Sequence, residues 1–319
     1  MSKSESDFWW GIKGGCIIAV IWIHIFALTN WGDRCGVYIR QLFNFPVAMF
    51  VFMSGYFIDT EQVKKNWKTW MKKRLLRILI PYIIISLLYI LVSIVIYGNV
   101  VNIKGIFASL LLGTSNLQMY FCLMIMQLII ITPFLIRKRS YKKLAFSGFV
   151  TFICVVIQYM NVVYGFLPIS MGIFGGTWLF FYYIGIYIRE RKFLFSYSLK
   201  WCIVVCICMM AVMFLETEFM LRSTIFENFS MAQIKFGNYF FVLSIAVLLC
   251  KISKHIYIKG VFVRIGKMSF EIYLIHMFFL NILNFCLPQI NRFLMFAITL
   301  FISYIVCTCW RRLVLKWKM

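Results

Sequence analysis

The sequence predicts an all-α, polytopic integral membrane protein of about ten transmembrane helices with both termini in the cytoplasm. Three observations carry this. The chain is 63% hydrophobic and only 13% charged, apolar stretches close to the length of a membrane span recur from end to end, and Lys and Arg gather in alternate loops. Soluble domains carry roughly a quarter charged residues and their cores stop growing near ~250–300 residues, so this much apolar surface needs lipid as its solvent.

A hydrocarbon core of ~30 Å takes about 20 helical residues. Stretches near that length run, in order, over 8–30, 38–58, 78–98, 119–136, 144–163, 172–188, 200–216, 236–250, 268–287 and 293–310. The first is full length and no small-residue cleavage site follows it, so no removable signal peptide is expected. The second and fourth carry Pro46 and Pro133. Between the second and third lies the longest polar stretch, Asp59 to Lys73, a short basic connection and not a domain. Residues 1–319 therefore read as one transmembrane domain.

With the N-terminus placed in the cytoplasm, 26 of the 33 Lys and Arg fall on the cytoplasmic side. Arg34, Arg40, Lys104, Arg222, Lys235 and Arg292 fall on the other, and Lys13 lies inside the first span. Such a bias in short loops sets orientation by the positive-inside rule. It also explains the net charge of +23 without nucleic acid, because basic loops at an anionic leaflet are worth about 1 kcal/mol per charge. The expected partner of the charge is the bilayer.

Ten of the eleven cysteines fall inside apolar stretches, where Cys acts as a small hydrophobe, and only Cys35 lies in an outer loop. No CxxC pair, zinc-ligand grouping, dinucleotide fingerprint or phosphate loop appears, and no metal is expected. What remains informative is the polar residues in costly places. Intramembrane ionisable side chains are functional candidates by default, and here they are Lys13 and His24 in the first span and His276 in the ninth, with Glu271 near that helix's cytoplasmic end.

Lys13 and His24 differ by roughly 20° around a helix and ~16 Å along it, so they share a face. Two readings stand. A cation at one side and an imidazole deep in the membrane suit a tunnel between the two faces; alternatively Lys13 snorkels to the headgroups and His24 is a hydrogen-bonded core residue. A buried neutral imidazole is able to take a proton from a hydroxyl. Glu271 follows Lys267 by four residues, the spacing of a helical ion pair, and Tyr273 shares a face with His276.

Four segments then carry a resemblance. Ile12-Lys13-Gly14 through Ile23-His24 resembles the first helix of the acyltransferase family 3 membrane proteins, marked by a basic residue, ten residues, then histidine. Phe50-Val51-Phe52-Met53-Ser54-Gly55-Tyr56-Phe57 is similar to that family's aromatic run ending in Ser-Gly. Lys73-Arg74-Leu75-Leu76-Arg77-Ile78-Leu79-Ile80-Pro81-Tyr82 resembles its R-x-x-R-hydrophobic-P-Y approach to the third helix. Ile265-Gly266-Lys267-Met268-Ser269-Phe270-Glu271-Ile272-Tyr273-Leu274-Ile275-His276 resembles its G-K-x-S-x-x-I-Y-L-x-H segment. Two departures are present: Lys13 stands where the family usually has Arg, and Leu117-Gln118-Met119-Tyr120-Phe121 replaces its usual Leu-Trp-Phe.

The resemblance implies transfer of an acyl group, usually acetyl, from cytoplasmic acyl-CoA to a hydroxyl of an extracytoplasmic glycan or lipid-linked sugar, in a bacterial plasma membrane. The donor's phosphates need a basic cytoplasmic surface, for which Lys72, Lys73, Arg74 and Arg77 are the candidates; a plain solvated positive-inside loop is the bland alternative. Lys13 would then hold the donor's arm and His24 would act as base, with Ser54, Tyr273 and His276 lining the tunnel. The acceptor is expected at the outer segments 99–118, 164–176 and 216–235. The rivals are a transporter or flippase, whose inverted repeats and paired broken helices are not found, and a non-catalytic component of glycan assembly.

Overall fold

The computed structural model describes residues 2–28, 33–137, 140–191 and 198–316. They form fourteen α-helices and no strand. Eight helical segments are long and apolar enough to cross a membrane, and they coincide with eight of the ten expected spans. The other two expected spans are occupied by 17-residue helices, Gly175–Arg191 and Phe236–Ile252. The chain is an all-α polytopic membrane protein.

The helices divide between two compact units, residues 1–46 with 249–319 and residues 47–248. The first unit holds α1 (Lys3–Leu28) and α2 (Arg34–Leu42) from the start of the chain. The second holds all but the first residue of α3 (Pro46–Tyr56), then α4 (Thr60–Lys65), α5 (Trp67–Tyr97), α6 (Ile103–Leu112), α7 (Tyr120–Arg137), α8 (Tyr141–Tyr164), α9 (Gly175–Arg191), α10 (Leu199–Leu221) and most of α11 (Phe236–Ile252). The first unit then resumes with α12 (Val261–Lys267), α13 (Ser269–Cys286) and α14 (Arg292–Lys316).

The second expected span is broken between α2 and α3. Pro46 opens α3, where its missing N–H is harmless, and it disfavours helical backbone at Phe45. The third span is longer than expected because its basic approach is helical too. Asn66 caps α5, its side chain accepting from the Thr69 N–H at 3.2 Å, and the helix runs 31 residues through Pro81.

In the first unit α1 and α12 touch backbone to backbone. A β-carbon on Gly14 would overlap the Phe262 carbonyl oxygen, and one on Gly266 would overlap that of Trp10. Two glycines facing each other's helices let the axes approach as small residues do in membranes generally. Trp22 packs its ring on Phe26 of its own helix, on Phe43, and on Phe293 and Phe296 of α14, with centroids 5.3–6.2 Å apart. Glu271 accepts from Arg311 Nε at 3.0 Å and also from Nη2, while Nη2 donates to the Lys267 carbonyl at 2.6 Å. The ion pair expected from the Lys267–Glu271 spacing is thus made with α14 instead: a guanidinium offers a fork that a helical neighbour's ammonium lacks.

In the second unit the Ser-Gly motif has a packing role. A β-carbon on Gly55 would overlap the Tyr182 carbonyl, and one on Gly185 that of Phe52, so α3 and α9 meet as closely as α1 and α12. Next to that contact Thr132 donates to the Leu128 carbonyl (2.8 Å), which leaves its oxygen to accept from the Tyr182 hydroxyl at 2.7 Å. Toward lipid, α5 and α10 present rows of exposed apolar residues, among them Ile84, Leu91 and Val95 on α5 and Ile207, Leu215 and Phe219 on α10. In water such faces would be aggregation sites; in a bilayer they are the solvent-facing surface.

Candidate functional site

The glycine contact between α1 and α12 sets the geometry of the first unit's site. It fixes α1 beside the segment that turns at Met268 into α13, and α13 carries Tyr273 and His276 to the level of His24. The His24 and His276 rings lie 5.2 Å apart between centroids, tilted 44°. His276 is fully buried and His24 half-buried. The Tyr273 ring is 5.8 Å from that of His276.

The helix itself fixes the His276 tautomer. Nδ1 lies 2.8 Å from the Tyr273 carbonyl and 3.2 Å from the Ile272 carbonyl. Carbonyls only accept, so Nδ1 carries the proton and Nε2 keeps its lone pair. Nε2 is sealed from solvent and makes no hydrogen bond among the described residues. A buried acceptor left without a donor costs about 1–3 kcal/mol. Arg40 of α2, half-buried, lies within electrostatic reach of His24. Sequence reasoning missed Arg40 by counting it as an outer-loop charge. The available signal was its place on a short helix whose N-terminus is capped by Asp33, accepting from the Gly36 N–H at 3.1 Å.

Lys13 shares α1 with His24 but is not brought to it. Its ammonium stacks on the Trp10 ring, 4.6 Å from the centroid, and so points one turn toward the N-terminus, away from His24. That direction is the one the snorkelling reading requires. The first unit therefore gathers His24, His276, Tyr273 and Arg40, and leaves Lys13 about three turns away.

The second unit holds the basic cluster and Ser54. Lys72, Lys73 and Arg77 are exposed along the first turns of α5, as a phosphate-binding or lipid-facing surface requires. Arg74 differs: it is half-buried, with its guanidinium 4.9 Å from the Trp70 ring centroid and Tyr182, Arg77 and Asp59 within electrostatic reach. Ser54 is half-buried on α3 beside the close contact at Gly55. Among the described residues no group of three His, Cys, Asp or Glu is placed to hold a metal ion.

A buried polar network sits near the ends of α8, α10 and α11. Lys235, just ahead of α11 and fully buried, donates to the Ser230 carbonyl (2.6 Å) and to the Thr217 hydroxyl (2.8 Å). Burial pushes its ammonium down to about 8, and the Glu216 carboxylate pulls the other way. Glu216 in turn accepts from the Tyr159 hydroxyl at 2.6 Å and from the Gly237 N–H at 2.8 Å.

A family model described as an acyltransferase domain matches residues 8–311, a stretch that contains all of the residues above. No curated protein and no solved structure matches the chain.

Proposed function

The chain belongs to acyltransferase family 3 and is a membrane acyltransferase, and from that premise we propose that it moves an acyl group, acetyl foremost, from cytoplasmic acyl-CoA to a hydroxyl of an extracytoplasmic glycan or lipid-linked sugar. The bacterial plasma membrane is the compartment that this reading implies. The observation that carries the chemistry is the imidazole pair: two histidines 5.2 Å apart at membrane depth, one locked in the Nδ1–H tautomer with a free Nε2 lone pair.

In this reading His24 removes the acceptor's hydroxyl proton as the oxygen attacks the thioester carbonyl carbon. His276 Nε2 is the next proton acceptor, which returns His24 to its neutral form. Negative charge develops on the carbonyl oxygen, and Arg40 supplies the nearest fixed positive charge. The C–S bond then breaks, the proton held on His276 returns through His24 to the departing CoA sulfur, and the ester remains on the acceptor. Lys72, Lys73 and Arg77 receive the donor's phosphates, and Arg74, stiffened against Trp70, orients them. Lys13 at the cytoplasmic side meets the donor's arm, and Tyr273, on the same unit, lines its path to His24.

The test is release of CoA thiol from acetyl-CoA by purified protein in nanodiscs supplied with a bacterial glycolipid extract. Wild type is expected to release thiol in step with acceptor labelling, and His24→Ala to fall to background. Thiol release by neither protein, from acetyl-CoA or longer acyl-CoAs, would overturn the donor assignment.

A further inference from the structure

The second unit contains a cavity of about 460 Å³ walled by the three segments that the charge distribution places at the outer face: the end of α6 with the 113–117 turn, the 168–173 strap, and residues 229–234. This volume lies in the range of small-molecule sites. Gly113, in the left-handed conformation (φ +65°), ends α6 and lets the chain fold over the Tyr120 backbone, where a β-carbon would lie 2.8 Å from its Cα.

The walls are fixed from behind. Gln127 donates to the Ile173 carbonyl (2.9 Å) and accepts from the Gly175 N–H (2.8 Å), Gln158 accepts from the Met171 N–H (2.8 Å), and the Trp178 indole donates to the Gly172 carbonyl (2.9 Å). On the opposite wall Asn238 holds the Gln233 carbonyl (2.7 Å) and Lys235 holds that of Ser230 (2.6 Å). Side chains from α7, α8, α9 and α11 therefore hold loop backbone in place, as a preformed site requires.

The lining states the chemistry of the occupant. No charged side chain borders the cavity among the described residues; its polar groups are Thr114, Asn116, Ser170 and Gln233, and its rings are Tyr120 and Phe229 among aliphatic residues. An anion here would lose hydration with no cation in return, whereas a neutral molecule with several hydroxyls and an apolar face satisfies both kinds of wall.

We propose that this cavity binds the acceptor as an uncharged glycosyl unit, its hydroxyls on Gln233, Asn116, Ser170 and Thr114 and its apolar face on Phe229 or Tyr120. The inference rests on the glycan-acylation reading above. Gly172 is the point at which to block it: a β-carbon there already sits 3.3 Å from Ile234 Cδ1 and 3.5 Å from the Ser170 hydroxyl and the Tyr120 ring, so a larger side chain fills the space.

The experiment is saturation-transfer NMR on the protein in nanodiscs, with methyl β-glucopyranoside as the neutral probe and methyl β-glucuronide as its anionic counterpart, for wild type, Gly172→Val and Gln233→Ala. Saturation of the neutral glycoside by wild type, weakened about tenfold in both variants, with little from the glucuronide, is the expected result. Gln233→Ala removes only a side chain at the wall, so it decides the matter if Gly172→Val fails to fold. Equal saturation in wild type and Gln233→Ala, an equal response to the glucuronide, or no response to the neutral probe overturns the proposal. Acetyl-CoA consumption in the same nanodiscs separates the two failures: consumption without variant-sensitive glycoside binding sinks the cavity alone, and variant-sensitive binding without consumption sinks the acyl-CoA reading alone.

Discussion

Replacing His276 with asparagine separates the two nitrogens of its ring. The asparagine amide reaches about as far as Nδ1 and is able to donate to the Tyr273 carbonyl, now served at 2.8 Å, but it has nothing in the place of Nε2. The backbone hydrogen bond is worth about 1 kcal/mol and should survive, so the unfolding temperature should stay close to that of wild type. If Nε2 takes the proton passed on from His24, transfer should fall by about 10²-fold or more, some 3 kcal/mol of barrier, which is the lower end of what a positioned base supplies. His276→Ala should lose that activity and also stability, because it leaves a cavity in a fully buried position and removes the ring's contacts with the Ile272 and Tyr273 carbonyls. The assay is the initial rate of acyl transfer at saturating acetyl-CoA beside thermal unfolding of the same preparations. A His276→Asn protein within about threefold of wild type would refute the role given to Nε2 and leave His276 as a packed core histidine.

Three further outcomes follow from the packing and the charges. Gly266→Ala drives a methyl group into the Trp10 carbonyl, so it should destabilise the first unit by about 1–3 kcal/mol or prevent its folding, seen as a lowered unfolding temperature or aggregation in size-exclusion profiles. Arg311→Ala leaves Glu271 without its fork and should cost about 1–2 kcal/mol after allowing for partial exposure; Arg311→Lys should recover only part of it in chemical denaturation. Lys235 gives a pH signature. Its folded-state pKa of about 8 lies below its ordinary 10.5, so between those values the unfolded chain holds the proton that the folded chain has lost, and stability rises with pH across that window. Relative to Lys235→Met, wild type should gain on the order of 3 kcal/mol between pH 7 and pH 10.5; a flat difference would contradict the burial of that charge.

The helices were legible because lipid imposes one rule, that apolar residues continue for the thickness of the membrane, and the sequence obeys it from residue 8 to residue 310. The break at Phe43 to Phe45 was marked by Pro46 but not expected, since hydropathy runs straight across it. His24 and His276 were legible as costly residues, yet their pairing was not: they are far apart in sequence, and it takes the Gly14 and Gly266 contacts to bring α1 against the α12–α13 segment. Glu271 was paired with the wrong partner because helical spacing sees only its own helix, and Arg311 comes from another. Arg40 was hidden for a different reason. A charge tally by loop treats it as solvated, and only the fold brings it within electrostatic reach of His24. The second unit's cavity was legible only as three candidate loops, because its walls are fixed by side chains such as Gln127, Gln158 and Trp178 that look like ordinary residues of apolar helices.

The most direct test of acyl transfer by the imidazole pair uses inside-out membrane vesicles given radiolabelled acetyl-CoA on the exposed cytoplasmic face. Wild type, His24→Ala and Arg77→Ala are compared at matched expression, and label is counted in the glycan and lipid fractions of the lumen. The account predicts luminal label with wild type, none above background with His24→Ala, and with Arg77→Ala a raised requirement for acetyl-CoA. Label that enters those fractions equally with His24→Ala, or with none of the three proteins while native acceptors are present, would contradict it.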